Sequence, residues 1–549
     1  MDRLRYIPLG GLGEVGLNMW ALEWDGKLLI IDSGLMFPHG DMLGVDFVIP
    51  DVSYCLQKHL QIVGLFLTHG HEDHIGALAF LLPRLKTPVY GTRLTLGLLR
   101  PKLKERRAKD ADLREVRPGD RIQLGPFGVE AIPVCHSIPD AVSVAISTPV
   151  GKVIYTGDLK LDPNPLDGAP TDVARFQQLG DEGVLLMLGD STNAEKRGRS
   201  GSERDLEAPF RAVLDQAKGR VVVATFASNI HRIQHLVRLA AEYKRKVAVV
   251  GRSLQQNFKT AQELGFLDIP PNLVVRLEQA EKLPPQEVFL LTAGSQGEPM
   301  SALARFASQS HPHVNVRSGD TVVISATPIP GNELLVNRTV NNLYRHGAEV
   351  HYSELGRVHV SGHAYREELL DLQRLIRPKF FIPVHGEYRQ LLHHARLALE
   401  AGLPQSRILI VEDGQTVELD RESIRLGPRV ETGRIYVDGI GIGDVGHVVL
   451  RDRKLLAHDG LMVVSVTVDR ESGALRARPE VISRGLIDPQ LSHEIIEDAA
   501  TAAAQAVRRT SEREPELTVL RGAIHDAVLA VVHTRTKRRP MVIPLVTEI

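Results

Sequence analysis

Short apolar runs of strand length alternate along the chain with longer amphipathic stretches, and their spacing divides the sequence into blocks. Ile62-Val63-Gly64-Leu65-Phe66-Leu67 reads as a buried strand, and residues 17 to 32 read as strand, Asp25-Gly26 turn and strand. Lys152 to Thr156 and Lys379 to Val384 are further strand-like runs, and a short apolar segment runs from Val129 to Val134. Strand-like and helical runs alternate to about residue 215. A new block begins after Gly201, with a helix from Glu203 to Gln216, the run Arg220 to Phe226, a helix from Asn229, the run Lys246 to Ser253 and another helix. Glu287 to Thr292 and Asp320 to Ser325 follow, and such repeated strand-then-helix units predict a parallel sheet. Residues 408 to 450 are β-rich, including Arg434 to Gly439. From about Arg451 a connector leads to Met462 to Val468, a helix from Asp488 to Arg509 and a second from Glu514 to Arg535, which predicts a small α+β domain. No repeat of solenoid period is present.

With 549 residues the chain exceeds one core and suggests three or four domains. The net charge of −1 argues against bulk attraction to nucleic acid, so any such binding requires a local basic groove. The charged run Lys102 to Lys109 reads first as a solvated helix face and second as an RNA contact. No apolar run approaches the ~18 residues of a membrane span. The start, Met1 to Pro8, lacks an apolar signal core, and two cysteines, Cys55 and Cys135, are too few for a disulfide framework. The expected compartment is the reducing cytoplasm.

Candidate chemistry concentrates after the first buried strand. Thr68-His69-Gly70-His71-Glu72-Asp73-His74-Ile75-Gly76 packs three imidazoles and a carboxylate into a loop at a strand's C-terminal end. His69 and His71, two apart, project the same way and share one cation, while Asp73 and His74 hold a second. Imidazole with carboxylate suits zinc, or a borderline ion such as manganese. His136, Asp158 and His385 stand at the ends of other strand-like runs, with Asp158 poised to bridge; singly each has a bland alternative as a cap or a satisfied polar group. Gly11-Leu12-Gly13-Glu14-Val15-Gly16 matches a dinucleotide fingerprint, but strands follow it where a helix is required.

Together these residues resemble the metallo-β-lactamase superfamily. The resemblance implies His69, His71 and His136 on one metal, Asp73, His74 and His385 on the other, and Asp158 bridging both. Gly189-Asp190-Ser191-Thr192-Asn193-Ala194-Glu195, Ala224 to Arg232, Gly294 to Met300, and His359-Val360-Ser361-Gly362-His363-Ala364 narrow it to β-CASP nucleases, similar to ribonuclease J over the whole length. In that family the acidic motif falls on Asp190 and the two histidine motifs on His363 and His385; Gly189 departs from the serine of many relatives and is expected to be harmless. A histidine at 385, where DNA-repair relatives carry valine, is associated with RNA-cutting members.

The implied fold is α/β: a metallo-β-lactamase αββα sandwich in two parts, 1–214 and 361–450, an inserted β-CASP parallel-sheet domain at 215–360, a linker at 451–461 and an α+β C-terminal domain at 462–549. The insertion follows because His385 lies beyond the second block yet belongs to the metal site. The expected catalytic residues are Asp73, His363 and Asp190, with His363 the donor to the leaving 3′ oxygen and Asp190 its orienting carboxylate. A 5′-phosphate pocket is expected from Ser228, Asn229, Arg252, His359, Val360, Ser361, Gly362 and His363. The resemblance adds a structural hard cation, for which Asp438 and the backbone oxygens of Leu43 and Val45 are the candidates, against an ordinary Asp-Gly turn. It further implies two divalent metals per chain, single-stranded RNA as substrate, and a homodimer or homotetramer held by the C-terminal domain. The expected activity is 5′-to-3′ exonucleolytic with internal cutting. Strict endonuclease, small-molecule hydrolase and non-catalytic RNA scaffold are the alternatives.

Overall fold

A computed structural model describes residues 3–108, 110–488, 493–511 and 516–549. The chain forms two compact units, one of residues 1–37 with 48–435 and one of 38–47 with 436–549.

The first unit contains two stacked sheets. One has eight strands in the order 424–429, 415–419, 4–10, 19–24, 27–31, 61–66, 89–91, 113–115; the other has six, in the order 380–384, 186–190, 151–155, 142–148, 127–133, 121–124. Apolar side chains from both inner faces form one core, in which Trp20 meets Tyr155 edge-on at 5.1 Å. The turn between 19–24 and 27–31 places Asp25 at φ 47° and Gly26 at φ 69°, the paired positive angles that an Asp-Gly hairpin supplies. Residues 11–16 open on a two-residue strand, Leu12–Gly13, and no helix follows them.

Strand direction decides where the chemistry goes. Strands 151–155, 186–190 and 380–384 run parallel. Strand 127–133 is antiparallel to 142–148, which is antiparallel to 151–155, so it also exits at the same edge. Four strand ends therefore deliver His136, Asp158, Asp190 and His385 to one rim. The Gln61–Phe66 strand of the other sheet delivers the His69–His74 loop beside them, and the Val142 amide donates to the Thr68 carbonyl across the gap at 3.1 Å.

Between Asp190 and Phe380 the chain leaves the six-stranded sheet and builds an all-parallel sheet of five strands in the order 246–250, 288–292, 221–224, 321–324, 349–351. This sheet has its own apolar core.

In the second unit, strand 461–468 lies between antiparallel 480–484 and parallel 541–548, under helices His493–Ser511 and Leu517–Thr536. One expectation changes here. Residues read as a connector form most of the helix His447–Asp459, bounded by Gly446 and Gly460; the dense charge of Arg451-Asp452-Arg453-Lys454 lies along a helix and not in a linker. Among the described residues one helix, Leu517–Thr536, has the length and mean apolarity to cross a bilayer, but Arg521, His525 and Asp526 interrupt it and its Leu520, Ile524, Val528 and Val532 stripe is buried in the domain core. Residues 489–492 and 514–515 of the two expected helices, and Lys109 of the charged run, lie outside the described residues.

Candidate metal centre

The loop after Phe66 turns into a one-turn helix, Glu72–Ile75, with His71 at its N-cap, so His69, His71, Asp73 and His74 emerge within six positions. Their ligand atoms converge with those of His136, Asp158 and His385. His69, His71, His136 and Asp158 form one group and Asp73, His74, Asp158 and His385 a second; within each, one ligand atom per residue lies within 4.8 Å of the others. Asp158 belongs to both: Oδ2 is 3.5 Å from His69 Nε2 and 3.3 Å from His74 Nε2, and Oδ1 is 3.4 Å from His385 Nε2. Among the described residues, the buried atoms His69 Nε2 and Asp158 Oδ1 have no hydrogen-bond partner. Buried polar atoms are rarely left so, and two of them inside a cluster of imidazole and carboxylate suit a divalent cation.

The outer ring nitrogens account for this aim. Asp32 Oδ2 accepts from His74 Nδ1 at 2.8 Å, and Asp32 Oδ1 accepts from the Thr68 amide at 2.8 Å. The Gly362 carbonyl accepts from His136 Nδ1 at 2.8 Å, and Thr192 Oγ1 lies 2.7 Å from His385 Nδ1. Carbonyl and carboxylate oxygens only accept, so Nδ1 of His74 and His136 carries the proton and Nε2 offers its lone pair to the centre. Burial holds His69 and His136 well below the ordinary histidine range and takes His71 down to about 4, leaving neutral imidazoles. At His74 and His385 burial opposes charge but the carboxylates, Asp158 foremost, outweigh it and raise both.

Asp190 occupies the adjoining strand end. Its Oδ2 accepts from His363 Nδ1 at 2.8 Å, which turns His363 Nε2 toward the centre, 3.9 Å from Asp158 Oδ2. Burial pulls His363 down, and Asp190 followed by Asp158 raises it above the ordinary value. The other oxygen of Asp190 accepts from Thr192, from its amide at 3.0 Å and its hydroxyl at 2.7 Å. The unusual Gly189 has a packing reason: a Cβ there would lie 2.8 Å from His394 Cε1 and 2.9 Å from Phe381.

The expected phosphate residues separate into groups. Ser361, Gly362 and His363 form a loop beside the cluster: Asn193 Nδ2 donates to Ser361 Oγ at 2.8 Å, and the His363 amide donates to the same oxygen at 3.1 Å. A Cβ on Gly362 would lie 2.7 Å from His136 Cε1, so only glycine lets the loop approach that ring. Val360 is buried, and its carbonyl, like the ring of His359, faces the Arg232 guanidinium. Asn229 is buried, and its side-chain oxygen caps helix Ile230–Glu242 by accepting from the Arg232 amide at 3.0 Å, a role that leaves the Nδ2 donors to a phosphate. Ser228 precedes that cap. Arg252 is exposed at the start of helix Arg252–Glu263, and among the described residues no hydrogen bond or ion pair joins it to 359–363.

The expected structural cation meets another arrangement. Arg453 donates to Asp438 Oδ2 at 2.6 Å and to the Leu43 carbonyl at 2.8 Å, so a guanidinium already satisfies two of the three oxygens proposed for the ion. Sequence reasoning missed Asp32, Thr68, Thr192, Asn193, Gly362 as an acceptor, and Arg232. Asp32 lies in the Asp-Ser-Gly turn and Thr192 and Asn193 in the acidic motif, so proximity to those motifs was the one available signal.

Comparisons with known proteins agree in their coverage. Residues 12–203 match the metallo-beta-lactamase superfamily, 218–343 the ribonuclease J beta-CASP domain, 348–409 the Zn-dependent metallo-hydrolase RNA specificity domain, and 448–549 the ribonuclease J C-terminal domain. Ribonuclease J2 of Bacillus subtilis is 41% identical over 550 residues, covering 100% of this chain and 99% of that protein. Ribonuclease J of Thermus thermophilus is 41% identical over 555 residues, covering 100% and 96%. In fold, a protein of unknown function from Enterococcus faecalis V583 superposes with a TM-score of 0.54 at 16% identity, over 76% of this chain and all of that one.

Proposed function

The chain belongs to the ribonuclease J family and is a metal-dependent nuclease, and from that premise we propose that it degrades single-stranded RNA from the 5′ end, preferring a 5′ monophosphate, and also cuts internally. The observation that carries this reading is the contact between the Ser361-Gly362-His363 loop and the candidate ligands. The Gly362 carbonyl is bonded to His136, so donors suited to a terminal phosphate stand beside the residues that would hold the metals. A strict endonuclease has no need of a phosphate pocket at that distance.

His69, His71 and His136 would hold one divalent ion, Asp73, His74 and His385 a second, with Asp158 shared; zinc is the proposed metal and manganese the alternative. When bound, two such ions supply an activated water and charge neutralisation at the attacked phosphorus. The protein does the rest. Asp32, Thr192 and the Gly362 carbonyl fix the rings. His363, kept protonated by Asp190, delivers its Nε2 proton to the leaving 3′ oxygen. Ser361 and Ser228 hydroxyls and the Gly362 amide would receive the terminal phosphate, and each cut leaving a 5′ monophosphate regenerates the group the pocket holds. A triphosphate is bulkier and more charged than these short donors accommodate. We further propose RNA decay and rRNA and mRNA maturation as its role, a homodimer or homotetramer through the C-terminal domain, and the cytoplasm as its compartment. The two cysteines, both buried and unpaired, support the last.

A time course on one RNA with 5′ monophosphate or 5′ triphosphate, labelled at either end, tests the reading. Mononucleotides should accumulate much faster from the monophosphate, and a bulky replacement of Ser361 should reduce that preference while sparing internal cuts. Equal rates with internal fragments alone would replace it with the endonuclease.

A further inference from the structure

Among the described residues Arg232 is the largest side chain that is wholly buried. A guanidinium out of water is costly unless its five N–H groups are met, and here each points at a partner. Nε and Nη2 form a fork on the Glu203 carboxylate at 2.6 and 2.7 Å. Nη1 donates to the Ser325 carbonyl at 3.2 Å and to its hydroxyl, and that hydroxyl donates to the Val358 carbonyl at 2.7 Å. Nη1 also reaches the Val358 carbonyl at 3.5 Å, and Nη2 the Val360 carbonyl at 3.4 Å.

These partners come from three separate segments. Glu203 lies just before helix Glu207–Gln216, Ser325 follows strand 321–324 of the five-stranded sheet, and Val358 and Val360 are the approach to Ser361, Gly362 and His363. The neighbouring His231 bonds through Nδ1 to the His136 carbonyl at 3.1 Å and through Nε2 to Asp167 at 3.0 Å. The head of helix Ile230–Glu242 therefore touches the backbone of a candidate ligand with one residue and the backbone of the pocket loop with the next. None of the bonds of Arg232 goes to a candidate ligand, to His363 or to Asp190.

We propose that Arg232 is a positioning residue for the 5′-end pocket: its fork on Glu203 anchors the guanidinium, and its remaining N–H groups hold the carbonyls of Val358 and Val360, setting the distance between the Ser361–His363 loop and the metal-side residues. The proposal rests on the 5′-end reading above. Its consequence is a selective one. Shifting that loop misplaces the terminal phosphate relative to the bond to be cut, while an aryl phosphodiester, which has no 5′ end to hold and a leaving group that needs no proton from His363, is insensitive to the shift.

Arg232→Lys tests this, because an ammonium keeps the charge but cannot fork on Glu203 and reach Val360 together. Turnover of 5′-monophosphorylated RNA should fall by about 10²-fold, the usual effect of misplacement by an ångström. Hydrolysis of bis(p-nitrophenyl) phosphate at saturating metal, which reads the metal centre without a 5′ end, should stay within about two-fold. Glu203→Gln keeps size and one acceptor, and should give the same split if Arg232→Lys does not fold. Parallel loss on both substrates would make the pair a fold element only and overturn the role, as would unchanged preference for the 5′ monophosphate in a folded Arg232→Lys protein. Indifference of the wild-type protein to the 5′ phosphate would overturn the 5′-end reading itself, and that result needs no variant.

Discussion

Thr192 links the acidic motif to a candidate metal ligand, and Thr192→Val isolates that link. Its hydroxyl lies 2.7 Å from Asp190 Oδ1 and 2.7 Å from His385 Nδ1. A carboxylate only accepts, so the hydroxyl donates to Asp190 and accepts from His385 Nδ1–H, which leaves His385 Nε2 with a lone pair facing Asp73 and Asp158 at 3.3 and 3.4 Å. Valine keeps the shape and removes both bonds. The direct path from His385 Nδ1 to Asp190 Oδ1 is 3.4 Å, a poor substitute. An unmet buried donor costs ~1–3 kcal/mol, and His385 relieves it by moving its proton to Nε2, the atom a metal needs. Loss of such an outer partner weakens metal affinity by about 10–100-fold, or ~1.4–2.7 kcal/mol. Competition of the metal-free protein against a fluorescent chelator for zinc or manganese measures this directly, and one of two binding steps should move. Thr192→Ser, which keeps the hydroxyl, should remain within about three-fold of wild type on the same outer-partner argument. Wild-type affinity in Thr192→Val would refute the reasoning and assign the orientation of His385 to backbone packing alone.

Four further outcomes are expected. Asp73→Ala should abolish RNA cleavage while circular dichroism and melting stay near wild type, since Asp73 sits on a one-turn helix at the rim of the packed core with its side chain partly exposed; retained turnover in chelated buffer would remove the binuclear assignment. His363→Ala should slow turnover by about 10²–10⁴-fold with metal content unchanged, as measured by elemental analysis. In Asp190→Asn the alkaline fall of kcat should move to lower pH: burial lowers His363 and Asp190 is the leading group that raises it, so the protonated acid that the wild type keeps above the ordinary histidine value is lost earlier in the variant. Asp413→Asn should stabilise the protein. Burial, then Glu14, hold Asp413 well above the carboxylate range. A raised folded value contributes stability below the unfolded value that is lost as pH rises through the folded one, so the melting temperature should gain about 2–4 °C near pH 8, with the gap closing toward pH 4.

The sequence alone exposed those features whose logic is local. His69, His71, Asp73 and His74 fall within six positions, so spacing shows that their side chains share a loop. The Asp25-Gly26 turn needs two adjacent positive φ angles, and two residue types declare them. Strand-then-helix repetition from Arg220 to Ser325 announces a parallel sheet because both periods recur within single segments. The joint order of the β-CASP motifs pointed to the family.

Tertiary structure decided everything that depends on register between distant segments. Asp190, Thr192 and His385 become neighbours because strands 186–190 and 380–384 pair in parallel with Asp190 opposite Val384. Gly362 meets His136 across 226 positions, and no pattern along the chain distinguishes its carbonyl from any other. Asn229 acquires a role its motif did not declare: at the head of a buried helix its side-chain oxygen is the cap. Arg453 reaches Asp438 from 15 residues away, on a helix whose charges resembled a linker. Periodicity and motif spacing report the chain's local geometry, which backbone sterics fix within a few residues. Hydrogen bonds across strands and between domains depend on which register buries the apolar faces, and that choice is made only when the whole chain packs.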